Sequence, residues 1–214
     1  NTATAVKAQI LAAYEADPTN VKMLYLLGHV PVPYSGYLAP DGHGDHYGAW
    51  PADGYYGACS GTWTDSTVNN TSASRNQNDN VPGDGKFDQS SFPGPVKLMI
   101  GRVDLQGMTR APTASVPEAQ LLRRYLAKAH DYRMKQNMYA SIPRRSVMRD
   151  GFGNTYNEGM ALGGWAWAFT CVGSQVDEPA SGAWFSSSYA GGKTYLVGYG
   201  HGGGDAKFFF HRRN

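Results

Sequence analysis

His201 is a candidate for chemistry because of the residues around it. It follows an apolar run, TYLVGYG at 194–200, and three glycines come directly after it, at 202–204. A strand that ends in histidine can present an imidazole as a general base. Glycines let the backbone approach a ligand closely and offer N–H groups to a developing oxyanion. The pattern therefore predicts a site at the end of this strand.

Two other predicted strands also end beside a polar residue and a glycine, at Gly28-His29 and at Asp150-Gly151. Open parallel sheets bind ligands beyond the carboxyl ends of their strands, so these ends mark the expected position of a site. For His29, which precedes Val-Pro-Val-Pro, the sequence favours a tight turn over a role in ligand binding.

Oxygen-bearing side chains cluster in NQNDNVPGDGKFDQ, residues 76–89. Asp84 and Asp88 stand on either side of a Gly turn and an apolar anchor, as in the middle of an EF-hand loop, and Asp79 or Asn80 could add another oxygen ligand. Val-Pro-Gly at 81–83 interrupts the alternate spacing, and no Glu follows to bind bidentately. The pattern leaves two alternatives open, a Ca²⁺ site and an Asx-rich surface turn.

A third polar cluster lies in PDGHGDHYGAW, where Asp41, His43, Asp45 and His46 fall within six residues. Zinc binds nitrogen and oxygen ligands of this kind, but the spacing favours a hydrogen-bonded loop over a metal site. The two cysteines, Cys59 and Cys171, permit either one disulfide or two thiols, and both alternatives stay open.

The elements that would position these residues alternate between strands and helices. The predicted strands cover 21–28, 96–103, 144–150 and 194–200, and the predicted helices cover 4–16, a segment that begins after Ser115, and 157–169. Short apolar strands separated by helices predict parallel crossovers, with the first strand buried on both faces. The expected fold is a three-layer α/β/α sandwich in which the four strands share one mainly parallel sheet.

Two further segments carry local predictions. Ser115, Pro117 and Glu118 match a capping box with proline in the first turn of the helix that follows. The buried face predicted for this helix consists of Leu121, Leu122, Tyr125, Leu126, Ala129 and Tyr132. Residues 31–95, rich in Gly, Pro, Asn, Asp and Ser, predict a long ordered loop with a possible short strand at Tyr55–Gly57.

Composition and charge exclude several classes of protein. The 214 residues are 41% hydrophobic and 17% charged, which is typical of a globular domain and excludes a disordered tail or a coiled coil. Residues 31–95 contain seven Asp against Arg75 and Lys86, whereas 96–214 contain 15 Lys and Arg against eight Asp and Glu. The basic residues at 123–135 alternate with apolar positions of one helix, so a solvated helix face is favoured over nucleic-acid binding.

The termini and the apolar runs add two expectations. No apolar run approaches the roughly 18 residues of a membrane span, so none is expected. The sequence starts without a Met or a signal peptide, which is typical of a mature or cut product.

In order along the chain, five segments resemble the catalytic domain of gingipain-type cysteine peptidases, which have a caspase-like fold. They are YLLGHVPVP, WPADGYYG, LMIGRVDL with the helix EAQLLRRYLAKAHDYR, VMRDGFG, and YLVGYGHGGG. The resemblance implies one gingipain-like α/β domain over 1–214, with 31–95 as a long acidic loop insertion. It also implies a bacterial hydrolase, secreted or at the cell surface, that acts on a peptide or protein substrate. His201 matches the catalytic histidine, and Gly202 matches the residue whose N–H helps to form the oxyanion hole.

The nucleophile does not follow from the same resemblance. In that family the cysteine lies downstream of the histidine, at the end of the next strand, whereas Cys59 and Cys171 both precede His201. We therefore expect the domain to be incomplete at its C-terminus, to be completed by the remaining part of its own polypeptide, and to be inactive alone. The alternative is a catalytically inert, calcium-stabilised surface or matrix module that keeps the fold for binding or assembly.

Overall fold

The computed structural model describes residues 2–40, 42–108, 113–150, 176–177 and 195–201. Its elements form a mixed α/β protein with small, mainly parallel sheets, and the chain divides into two compact units, residues 1–126 and 127–214. One parallel sheet lies in residues 1–126, and another parallel sheet lies in residues 127–214. A single four-stranded sheet and the three-layer sandwich stay predictions.

The first helix, α1, spans Ala3–Ala16 and confirms the predicted helix. Thr2 caps its N-terminus by accepting the Ala5 N–H at 3.2 Å. Asp17 ends it, because Pro18 cannot continue a helix. Its apolar side chains are only half-buried, and the residue of α1 that is fully buried is Lys7.

Strands β1 (Met23–Leu27) and β4 (Met99–Val103) form a parallel pair, with Leu27 opposite Val103. They confirm the strands predicted at 21–28 and 96–103, with shorter bounds. The prediction that β1 is buried on both faces was wrong. Leu26 is 3% exposed, whereas Met23 on the other face is 72% exposed, so β1 buries one face only.

The acidic segment 31–95 contains more regular structure than the predicted loop. Strands β2 (Tyr34–Leu38) and β3 (Gly48–Pro51) form an antiparallel hairpin. Short 3₁₀ turns cover Gly44–His46 and Asn76–Asn78. The short helix α2 (Gly54–Gly57) stands where a strand was predicted, and that prediction was wrong.

The rings around α2 explain why this segment is helical. Tyr55 and Tyr56 are both buried, but a strand would send consecutive side chains to opposite faces. The Tyr55 ring stacks on Phe87 with centroids 4.5 Å apart and meets Trp63 edge-on at 5.1 Å. With Leu26, these aromatic side chains form the core of the first unit.

Lys7 joins α1 to α2 inside this core. Its ammonium donates to the carbonyls of Tyr55 (2.6 Å), Tyr56 (3.1 Å) and Ala58 (2.5 Å), at the end of α2. The last carbonyls of a helix have no partner within it, so Lys7 satisfies groups that burial would otherwise leave unpaired. Burial lowers the pKa of Lys7 below the ordinary lysine value.

Helix α3 spans Glu118–Met134 and confirms the helix predicted after Ser115. The predicted capping box was wrong, because Glu118 is the first residue of the helix and not the third after a Ser115 cap. The Glu118 carboxylate accepts the Leu105 N–H at 3.4 Å, so it holds the chain before the helix. The predicted buried face was too wide: Leu121 is buried, while Leu126 and Tyr132 are exposed. No helix in the described part of the chain is both long enough and apolar enough to cross a membrane.

In the second unit, a 3₁₀ turn at Asn137–Tyr139 precedes a parallel three-stranded sheet. Strand β5 (Ser146–Asp150) lies between β6 (Val176–Asp177) and β7 (Val197–His201). Strands β5 and β7 confirm the predictions at 144–150 and 194–200. The helix predicted at 157–169 lies outside the described residues.

Replacing Lys7 by Met should destabilise the first unit by about 2–4 kcal/mol, because three buried carbonyls lose their donor. Urea unfolding followed by tyrosine and tryptophan fluorescence measures this change. Lys22→Met is the matched control, since Lys22 is exposed and donates to one carbonyl, that of Pro18. Equal stabilities of the two variants would contradict the structural role assigned to Lys7.

Candidate functional site

The carboxyl ends of β1 and β4 bring a histidine and an aspartate into contact. His29 Nδ1 lies 2.9 Å from Asp104 Oδ2. The His29 side chain is 56% exposed and that of Asp104 is 22% exposed. Since a carboxylate accepts the Nδ1 proton, Nε2 of the imidazole is left for a ligand or solvent. A carboxylate-oriented imidazole of this kind can accept a proton from a hydroxyl or bind a hydrogen-bond donor.

The backbone explains why these two residues meet. Because β1 and β4 are parallel and Leu27 is opposite Val103, both chains leave the sheet at the same edge. The Gly28 N–H donates to Val103 O at 2.8 Å and so extends the ladder by one residue. Gly28 has φ +90°, a conformation that glycine adopts without strain, and the chain turns there toward Asp104.

Arg102 fixes the turn that carries His29. It makes a two-pronged ion pair with Asp53, at 2.7 and 2.8 Å, and also donates to the carbonyls of Val30 and Pro31. The hydrogen bond from Asp53 raises the pKa of Arg102 above its ordinary value. Tyr56 donates its hydroxyl to the same Pro31 carbonyl at 2.7 Å, and burial raises the pKa of Tyr56 to about 12.

The electrostatics keep Asp104 ionised. Burial opposes the charge on Asp104, but the Gln106 N–H, the His29 ring and nearby Arg102 together lower its pKa below the ordinary value. Sequence reasoning treated His29 as a turn residue and did not single out Asp104. Pairing the predicted strands 21–28 and 96–103 by their ends would have found the contact, because Asp104 directly follows the second of them.

In the second unit, β5 and β7 end together in the same way. Their parallel register places Asp150 opposite His201 in the ladder. His201 is therefore the terminal residue of a parallel strand, next in the sheet to a carboxylate-bearing residue. Gly202 lies outside the described residues, and the catalytic roles of His201 and Gly202 stay predictions.

The residues predicted as calcium ligands serve as hydrogen-bond acceptors or lie buried. The Asp88 carboxylate accepts the N–H groups of Ser66, Thr67 and Val68 at 2.8–3.1 Å. These bonds hold the pKa of Asp88 far below its ordinary value, against the effect of burial. Asp79 accepts the Ala73 N–H at 3.0 Å.

Asp84 and Asn80, the other two predicted ligands, also have hydrogen-bond partners within the protein. Asp84 accepts the N–H groups of Val81 and Lys86 and pairs with the Lys86 ammonium at 2.9 Å. Lys86 also donates to the Asp79 carbonyl, so a side-chain cation lies among the predicted ligands. Asn80 is fully buried and donates to Gly36 O and Phe87 O.

Asp65 lies before this loop in the sequence but bonds to it, and the sequence patterns did not single it out. Its two carboxylate oxygens accept the N–H groups of Gly83 and Gly85, both at 2.7 Å. Both glycines have positive φ, so Asp65 holds the two turns that surround Asp84. Calcium binding by residues 76–88 stays a prediction.

The histidine cluster at 41–46 and the two cysteines were the remaining candidates for a functional site. His43 and His46 rings contact edge-on at 5.3 Å, and His46 Nε2 is 3.8 Å from Asp45 Oδ2. Asp41 and Cys171 lie outside the described residues. Among those that are described, no group of three or more His, Cys, Asp or Glu is arranged to hold a metal ion. Cys59 is a half-buried free thiol.

Comparisons of the chain with protein-family models, with curated proteins and with solved structures found no match. The gingipain-type family is thus a resemblance in motifs and their order.

Replacing Asp88 by Asn should lower the free energy of unfolding by about 1–3 kcal/mol at pH 7, because an amide cannot accept the three N–H groups equally well. The folded-state pKa of Asp88 is depressed. Its contribution is therefore complete above the unfolded-state pKa, about 4, and is lost as the pH falls toward the folded-state value. Urea unfolding at pH 7 and pH 3 measures both effects, and we expect the difference from wild type to shrink in acid.

Asp45→Asn is the matched control, since the Asp45 side chain is 78% exposed. Melting curves with Ca²⁺ and with EDTA test the predicted calcium site on the same proteins. A hundredfold excess of Ca²⁺ over Kd would stabilise the folded state by about 2.7 kcal/mol. Identical curves with and without chelator would contradict the calcium site, whereas the Asp88→Asn effect should persist in EDTA.

Proposed function

We propose that this chain is a gingipain-like domain of the cysteine endopeptidase class, secreted or at the cell surface of a bacterium. His201 would serve as the general base and the Gly202 N–H as a donor to the oxyanion. The substrate class is a peptide or a protein. Within the mixed α/β fold, the proposal includes the three-layer sandwich that this class requires.

One observation supports the proposal above the others, namely the pairing of Asp150 with His201 at the carboxyl ends of β5 and β7. A histidine acts as a base most effectively when a second group fixes its tautomer and orientation. Parallel strand ends are also where open α/β sheets bind their ligands. The sheet pairs a histidine with an aspartate at the edge where a substrate is expected, and this pairing supports the proposal.

The nucleophile in this proposal is a thiol other than Cys59. A thiol becomes a nucleophile at neutral pH when a base or a positive charge favours the thiolate. The Cys59 thiol is directed to the Gly57 carbonyl, 3.5 Å away. In the described part of the first unit it contacts no imidazole, and the nearby Lys7 ammonium donates to the carbonyls of Tyr55, Tyr56 and Ala58. We therefore assign Cys59 a structural role in this proposal.

The pairing of Asp150 with His201 can be tested by NMR titration of the histidine side chains. Asp150→Asn should lower the pKa of His201, because a nearby carboxylate stabilises the imidazolium form. The matched control is Asp104→Asn, which removes the carboxylate from the other histidine–aspartate pair and should leave the titration of His201 unchanged. An unchanged His201 titration in Asp150→Asn would show that the carboxylate does not act on the imidazole, and it would favour the inert module over the peptidase.

The chain of 214 residues should not cleave peptides by a cysteine mechanism. A thiol needs a base or another activating group to become a nucleophile at neutral pH, and in the described residues no imidazole contacts Cys59. Incubation with a broad peptide library, with and without a thiol alkylator, measures the activity. Alkylator-sensitive turnover that is lost in Cys59→Ser or Cys171→Ser would show that one of these residues is the nucleophile after all.

A further inference from the structure

A pocket of about 340 Å³ lies in the acidic segment of the first unit. Its walls come from strand β2 and from the loop that follows α2. The lining residues are Tyr37, Val68, Asn69, Asn70 and Ser72. The volume falls near the lower end of the range for small-molecule sites, roughly 300–1,000 Å³. The pocket therefore has room for a small ligand.

A pair of exposed tyrosine rings stands at this pocket. Tyr37 lines it, and the Tyr47 ring lies 5.1 Å from the Tyr37 ring at a tilt of 35°. The two residues are 47% and 45% exposed. The hairpin holds them together, because Tyr37 is in β2 and Tyr47 directly precedes β3. An aromatic face exposed beside a pocket is a surface on which C–H groups of a ligand can pack.

The loop side of the pocket carries a buried amide whose orientation is fixed. Asn70 is only 8% exposed. Its Oδ1 accepts the Ser72 backbone N–H at 3.1 Å and the Ser72 hydroxyl at 2.9 Å. A backbone N–H can only donate, so the amide oxygen faces Ser72 and Nδ2 is the other end of the amide. In the described part of the chain this Nδ2 has no hydrogen-bond partner, so it is a donor that a ligand can satisfy.

Hydrogen bonds fix the backbone around the pocket. Asn70 exchanges two backbone hydrogen bonds with Asn80, at 2.6 and 2.8 Å. The Asn80 side chain donates to Gly36 O in β2 at 3.1 Å. The Asp88 carboxylate accepts the Val68 N–H at 2.8 Å. These contacts connect the loop side to the strand side, so binding would not have to order the walls first.

The rings and the amide together select a class of ligand. The face of an aromatic ring carries partial negative charge, so it disfavours an anion. A quaternary ammonium group can pack on the rings, but it has no acceptor for Asn70 Nδ2. A purely apolar ligand would leave the same donor unpaired. A sugar ring satisfies both walls, because it has an apolar C–H face and hydroxyl oxygens that accept hydrogen bonds.

We propose that this pocket binds a neutral sugar residue. The C–H face of the sugar packs on the Tyr37 ring, and one of its hydroxyl oxygens accepts a hydrogen bond from Asn70 Nδ2. Asn69 and Ser72, which are exposed and line the same pocket, can bond to further hydroxyl groups. This binding site lies within the first unit and does not depend on His201 or on peptidase activity.

NMR titration of the 214-residue chain with the methyl glycosides of glucose, galactose, mannose and N-acetylglucosamine tests the proposal. At least one of them should shift the backbone amide signals of residues 68–72, with a Kd of about 1 mM for a ligand of this size. Tyr37→Ala should weaken that binding by about tenfold or more, because the ring face is lost. Tyr37→Phe is the matched control, since it keeps the ring, and it should bind within about twofold of wild type.

A second variant tests the amide donor. Asn70→Asp keeps an oxygen for Ser72 but replaces Nδ2 by an oxygen that cannot donate when the carboxyl group is ionised. It should weaken sugar binding by about tenfold. Asn76→Asp is the matched control, because it makes the same chemical change at an exposed position outside the pocket, and it should bind like wild type.

Several results would overturn the proposal. One is that none of the glycosides binds to wild type. Another is that Tyr37→Ala binds as tightly as Tyr37→Phe, and this comparison stands even if Asn70→Asp does not fold. Unchanged binding by a folded Asn70→Asp would remove the donor from the site and with it the sugar assignment. Choline is the last probe: if it shifts the same signals at lower concentration than the glycosides do, the rings form a cation site instead.

Discussion

The fold of the first unit depends on satisfying the backbone polar groups of a chain with few helices and strands. Backbone N–H and carbonyl groups need partners, and where no ladder supplies them in this unit, several charged side chains do. Asp88 accepts three N–H groups, and Asp65 accepts those of Gly83 and Gly85. Lys7 donates to three carbonyls, and Arg102 donates to two. These side chains do what secondary structure does elsewhere in the protein.

The same requirement changes the meaning of the acidic segment. The excess of Asp over Lys and Arg in 31–95 predicted a difference in the partners that the two halves would attract, and its spacing predicted calcium ligands. In the structure, Asp53, Asp65 and Asp88 each hold a particular group of the chain, and Lys86 lies between Asp84 and the Asp79 carbonyl. A carboxylate that accepts N–H groups can still bind a cation. The spacing of these aspartates in the sequence is nevertheless explained by their hydrogen bonds, without a bound cation.

Apolar runs and proline positions predicted α1 and four of the strands, because these elements are determined by local pattern. Other features depend on distant contacts. Tyr55 lies in a helix with Tyr56 because Phe87 and Trp63 complete the environment of Tyr55 from 32 and eight residues away, respectively. Lys7 resembles a solvent-facing residue of an amphipathic helix, and only the carbonyls at the end of α2 explain its burial. Asp104 had no motif of its own, since its role arises from the register of β1 with β4.

Parallel pairing also explains why a histidine and an aspartate meet twice in this chain. Adjacent parallel strands end at the same edge, so polar residues that terminate them become neighbours whatever their distance in sequence. His29 and Asp104 meet just beyond their strands, whereas Asp150 and His201 are paired within theirs. Such a pair is thus a consequence of topology, and its function is decided by what lies next to it. Beside His29 that is an apolar groove, whereas His201 is followed in the sequence by glycines, whose N–H groups suit an oxyanion.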